Sequence, residues 1–172
     1  MTLAKKMGAS YKMVADQVKL KTITIESGAV KFDLKVRVPL KKEMERITVQ
    51  IAQPPKEMVE AIYADLAAPL LKTIEDGGEE FLKAINTDQQ VITVQDDDIF
   101  VQGSSVRQVA QFTAMWHTRV EVYFSLLQSE SGEPINETYE QIAEEFPEQI
   151  IRKIVEDIES AIRPDYKTAK KN

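Results

Sequence analysis

The chain has no cysteine among its 172 residues, and so no disulfide framework, no thiol nucleophile and no thiolate metal ligand. A reducing compartment fits that absence, and the cytosol is the expected location. Imidazole chemistry is nearly absent too, since His117 is the single histidine and no serine, cysteine or carboxylate pairs with it by spacing. It reads as a packed or edge residue on a helix, not a general base. No stretch approaches about eighteen consecutive apolar residues, and Met1–Ser10 carries Lys5 and Lys6 without the apolar run or cleavage site of a signal peptide. Neither membrane insertion nor secretion is expected. Gly77–Gly78 lacks the lysine and the spacing of a phosphate-binding loop.

What is present is charge, unevenly placed. The net charge of −6 argues against a general nucleic-acid binder, because neutralising phosphates requires a basic surface. The first third is basic, with Lys19, Lys21, Lys31, Lys35, Arg37, Lys41, Lys42 and Arg46, whereas Glu130–Glu159 is rich in glutamate. Two readings follow: solvated faces that keep the protein dispersed, or head-to-tail association of protomers.

The apolar pattern predicts an α+β fold with two β-hairpins and a predominantly helical C-terminal half, as a single domain over residues 16–164. A flexible 1–15 precedes it and a polar tail, 165–172, follows. Val18–Ile25 and Val30–Val38 alternate in polarity around Glu26–Ala29, the signature of a first hairpin. Pro39 opens a short helical turn with Leu40, Met44 and Ile47, and Thr48–Ala52 reads as a third strand closed by Pro54 and Pro55. From Pro55 an amphipathic helix runs to Gly77–Gly78, with a kink or break expected at Pro69, which cannot donate to the carbonyl of Asp65. Glu79–Asn86 is a further short helix. Val91–Val94 and Ile99–Val101, around Gln95–Asp98, form the second hairpin.

Ser104–Gln128 concentrates the large apolar side chains at helical spacing and is the expected core helix. Ser105 and Gln108 have the spacing of a capping box. Trp116 is the largest apolar side chain there, and burying its roughly 200 Å² at about 25 cal/mol per Å² is worth on the order of 5 kcal/mol before entropy. Asn136 is placed to cap a helix holding Tyr139, Ile142 and Ala143. After Phe146–Pro147, a last helix sets Ile150, Ile151, Ile154, Val155, Ile158, Ala161 and Ile162 on one broad face.

None of these elements carries recognisable chemistry: catalytic, cofactor-binding and metal sites are all read as absent. Asp96, Asp97 and Asp98 lack the ligand spacing and turn glycine of a calcium loop and read as a solvated hairpin tip. Glu140, Glu144 and Glu148 recur at helical spacing with no histidine among them, the pattern of a charged solvent face. The candidate partner or subunit contacts are apolar: Ile150, Ile154, Ile158 and Ile162 on the last helix, and Met58 and Ile62 on the proline-containing one.

The order of elements resembles the tail assembly chaperones of long-tailed, siphovirus-type bacteriophages. Carrying the resemblance are Val91, Thr93 and Val94 with Ile99–Phe100–Val101, then Gly103–Ser104–Ser105, then Phe112, Arg119, Tyr123, Phe124 and Leu127 on the core helix, and Phe146–Pro147–Glu148 into the isoleucine-rich helix. It spans roughly residues 90 to 164. The resemblance implies a non-enzymatic, multimeric protein that binds the tape-measure protein and promotes polymerisation of tail-tube subunits. It would act in the cytoplasm of the bacterial host and be missing from the mature virion. It also implies a longer product made by ribosomal frameshifting, and Lys170–Lys171–Asn172 is encodable by a slippery run of adenines. A tube or completion protein retained in the virion, or a small regulatory adaptor, is the alternative.

Overall fold

A computed structural model of the chain describes residues 3–8, 19–86 and 91–163. Most of the expected flexible stretch 1–15, Val18 at the start of the first expected strand, and the expected tail 165–172 lie outside them. α1 (Leu3–Lys6) is a single turn in a stretch where the pattern predicts no regular element. The fold is α+β, with two separate antiparallel sheets and a predominantly helical C-terminal half. Its residues group into two compact units, Met1–Val49 with Arg119–Asn172, and Gln50–Thr118.

The first unit is built on a hairpin of β1 (Leu20–Ser27) and β2 (Val30–Arg37). Alternation puts Ile23 and Ile25 inward, opposite Leu34 and Phe32 in the register, with Val36 buried on the same face. Glu26 and Ser27 belong to the ladder, so the connection shortens from the expected four residues to Gly28–Ala29, with Gly28 at φ 60°. A glycine at the first central position supplies the positive φ that a tight hairpin turn requires.

Where a strand is expected at Thr48–Ala52, the chain is helical: α2 runs Lys41–Ala52 without interruption. Met44, Ile47 and Ile51 continue the helical spacing, and the Thr48 hydroxyl bonds back to the Met44 carbonyl at 2.9 Å. That local bond offsets the strand preference of a β-branched residue. At its start, Glu43 takes two hydrogen bonds from Arg37, at 2.8 and 2.6 Å, and one from Leu40 N–H at 3.4 Å. Arg37 and Glu43 hydrogen-bond each other, holding the Arg37 pKa above and the Glu43 pKa below the ordinary values.

α3 (Lys56–Ile85) keeps helical backbone angles through Pro69. The break comes at Gly78 (φ 63°, ψ −170°), so Glu79–Ile85 is a separate helical piece, as the glycine pair suggests. β3 (Ile92–Gln95), β4 (Asp98–Val101) and β5 (Ser104–Ser105) form the second sheet. Gln95 pairs with Asp98, which leaves Asp96–Asp97 as a two-residue turn. The next turn, Gln102–Gly103, has both residues at positive φ, the pairing that matches the twist of a hairpin.

α4 (Val106–Phe124) is the expected core helix, but it ends four residues early and its buried stripe differs. Within the second unit, Ala110 and Ala114 pack with Val59, flanked by Met58 and Ile62 of α3, and Thr118 is buried with its hydroxyl 3.7 Å from the Met58 sulfur. Trp116 is only half-buried, and Val109 is 45% exposed. Small side chains let two helix backbones approach, so this face selects alanine over tryptophan. Val120, Tyr123 and Phe124 are buried in the first unit. Three-residue bonds, Leu126 N–H to Tyr123 and Leu127 N–H to Phe124, tighten the end of α4. The chain then lies along β2, with Arg37 N–H donating to Leu126 and Gln128 N–H to Lys35, each at 2.8 Å.

The cap of α5 (Tyr139–Glu145) lies two residues after the expected one. Thr138, not Asn136, makes a capping box with Gln141, and Tyr139 N–H reaches Glu121 at 2.9 Å. Pro147 then opens α6 (Glu148–Ile162), which packs on β1 and β2. The Lys21 ammonium donates to the Ala161 carbonyl at 2.6 Å, a cation at the negative end of that helix.

Candidate functional site, an apolar cleft with an acidic rim

The six apolar candidates are all used, wholly or partly, inside the fold. Ile154, Ile158 and Ile162 are buried with Ile151 and Val155, and of the four candidates on that helix Ile150 is the half-buried one. Met58 and Ile62 are half-buried against Val59, Ala110 and Ala114. An amphipathic helix whose stripe matches a sheet face gains more by burying it at once than by waiting for a partner.

The polar constellations are structural in geometry. Asp96 and Asp97 are exposed, but Asp98 is not a solvated tip. Its Oδ1 accepts Ile99 N–H at 2.8 Å and Arg107 N–H at 3.0 Å, and its Oδ2 accepts the Ser105 hydroxyl. Ser105 Oγ in turn accepts Gln108 N–H at 2.9 Å, so half of the expected capping box is made, and Asp98 takes a second donor of the helix start, Arg107 N–H. Burial pushes the Asp98 carboxyl up. The Ser105 and backbone hydrogen bonds and the Arg107 charge outweigh that, leaving it below the usual carboxylate range. Arg107 donates to Glu60 at 2.8 Å and to the Asp97 carbonyl at 3.0 Å, with its guanidinium 4.1 Å from the centre of the Tyr63 ring.

His117 is half-buried on α4. Glu140 and Glu144 are exposed on α5, while Glu148, beyond Pro147, pairs with Arg152 at 2.9 Å and accepts from the Tyr139 hydroxyl at 2.8 Å. Among the described residues no three histidine or acidic side chains are grouped to hold a metal ion. No helix among them is long and apolar enough to cross a membrane.

One concave feature of the first unit was not visible in the sequence. It is an open cleft of about 250 Å³ whose floor combines Phe32 and Leu34 of β2, Phe124 and Leu127 at the end of α4, Ile142 and Phe146 around α5, and Ile154 of α6. Phe124 and Phe146 meet edge to face with centroids 6.4 Å apart. Ile135 closes one side, and Glu137, Gln141 and Glu145 supply the polar rim; no lining residue is basic. A second hollow, bordered by Asp33, Lys35 and Gln128, shares Leu34, Leu127 and Ile135 with it. Such a lining offers burial to an apolar group and attraction to a cation, with Gln141 as a hydrogen-bonding amide between the rim carboxylates. Five separate stretches converge on it, and only the β2 alternation and the phenylalanine before Pro147 hint at it in the sequence. No family model matches the chain, nor does any curated protein or solved structure.

Proposed function

We propose that the chain is a tail assembly chaperone of the kind found in long-tailed bacteriophages: a non-enzymatic protein that binds the tape-measure protein and promotes tail-tube polymerisation. The observation supporting this is the open cleft, apolar on its floor and acidic at its rim. A partner that is long, helical and prone to self-association needs its apolar ridge covered before assembly, and a groove accepting one or two large side chains per turn does that without chemistry. The isoleucine face of α6 backs the cleft through Ile154 and so keeps it open as a preformed surface. The partner's cationic side chains would meet Glu137 and Glu145.

The test is co-expression with the long coiled-coil product of a neighbouring gene. Partition of that product into the soluble fraction in the presence of the wild-type chain, and its loss with Phe146→Glu, are expected. Finding the chain by mass spectrometry in purified virions would favour a structural tail component instead. A partner that stays insoluble regardless would remove the chaperone reading.

A further inference from the structure

Two surfaces of the first unit complement each other. The cleft has an apolar floor with Glu137 and Glu145 at its rim, both exposed and neither in an ion pair among the described residues. The Leu3–Met7 turn presents the opposite: Leu3 is 70% exposed and Met7 52%, four residues apart and joined by the Met7 N–H to Leu3 carbonyl bond of 3.1 Å, with Lys5 and Lys6 exposed between them. Side chains at that spacing lie on one side of a helical turn. We propose that the Leu3–Met7 turn of one copy seats in the cleft of a second copy, its apolar pair on the phenylalanine floor and its lysines against the two glutamates.

Size and charge both support this occupant. An apolar cavity of about 150 Å³ accommodates benzene, so about 250 Å³ of open cleft has space for a leucine or methionine side chain. Charge also separates on a larger scale, with the basic residues in the first third of the chain and the glutamates in Glu130–Glu159. Both surfaces are open in one and the same chain, so a second copy satisfies them without any change to this fold. The contact is heterologous, a patch meeting a different patch, and each added copy leaves one turn and one cleft free for the next. The chaperone reading already implies a multimer; what is added is the pair of surfaces through which copies meet, and a tape-measure segment would compete for the same cleft.

The experiment is sedimentation velocity of the full chain across a concentration series at low salt. The average mass is expected to climb past twice the monomer value, and to fall back when salt is raised. Lys5→Glu with Lys6→Glu, or Glu137→Lys with Glu145→Lys, should each hold the chain monomeric. All four substitutions are at exposed positions, which circular dichroism will check. Mixing the two double variants in equal amounts should restore the full mass series with the two alternating, because the acidic turn of one meets the basic cleft of the other while the native turn meets the native cleft; combining all four changes in one chain should do the same. As an independent probe, the synthetic peptide Met1–Lys12 should shift the ring resonances of Phe124 and Phe146 saturably in the wild type and weakly in the glutamate variant. A strict monomer at every concentration, or a Leu3→Glu, Met7→Glu chain that associates like the wild type, overturns the proposal. A monomer that still solubilises a tape-measure segment would remove this inference and leave the chaperone reading standing.

Discussion

At the scale of single residues, Asp98 carries more of the second unit than its place in an aspartate triple suggests. It fixes the entry to α4 through one side-chain and two backbone donors, so Asp98→Ala leaves those donors to solvent. Allowing for its partial exposure, a loss of about 1–2 kcal/mol in urea unfolding is expected, with Asp97→Ala within about 0.5 kcal/mol of wild type. The sign with pH follows from the lowered pKa. A carboxylate titrating lower in the folded state than in the unfolded state contributes stability above its unfolded value, near 4, and that contribution fades as pH falls through the folded one. The gap between wild type and Asp98→Asn should therefore be full at pH 6 and narrow below about pH 4. The α6 isoleucines divide on the same scale. Ile154→Ala and Ile158→Ala each empty a buried site and should cost about 2–5 kcal/mol, while Ile150→Ala should cost about 1 kcal/mol or less, read in the same unfolding curves.

At the scale of elements, most helices and both hairpins were legible, because period two and period 3.6 are written directly into β1, β2, α3 and α6. The misses have local causes. Thr48–Ala52 has strand-like composition, yet it continues a helix already nucleated at Lys41, and extending a helix costs less than starting a strand with no neighbour to pair with. Pro69 was expected to bend α3, but the helical angles hold there and fail at Gly78, where only glycine is comfortable at φ 63°, ψ −170°. Two substitutions separate these effects. Pro69→Ala restores a donor inside a helix and should stabilise by about 1–3 kcal/mol. Gly78→Ala meets open space, so its cost is backbone alone, about 1–3 kcal/mol, and thermal unfolding followed by circular dichroism should show opposite shifts in Tm. The apolar spacing of α4 includes Ala110, which is buried, but it omits Ala114 and Thr118, which are inside because they are small enough for close helix packing.

At the scale of the whole molecule, the candidate site was the least legible part. Phe32, Phe124 and Phe146 are far apart in the chain, and only the return of α6 onto the hairpin and the turn of Leu126–Gln128 along β2 gather them around one cleft. Charge asymmetry, by contrast, could be read from composition alone, and it underlies the association inferred above.

The partial cover of β2 has a separate consequence. Leu126–Gln128 pairs only with its Lys35–Arg37 end, so the main chain at Lys31 and Asp33 has no partner on that side among the described residues. An unfinished border of this kind invites foreign strands to stack on it. Here the sequence around it reads lysine, aspartate, lysine at alternate positions, all exposed, and desolvating that row of ions would cost any intruder more than the new ladder returns. The same charges that make the hairpin's outer face unremarkable therefore work as a guard against amyloid-like growth.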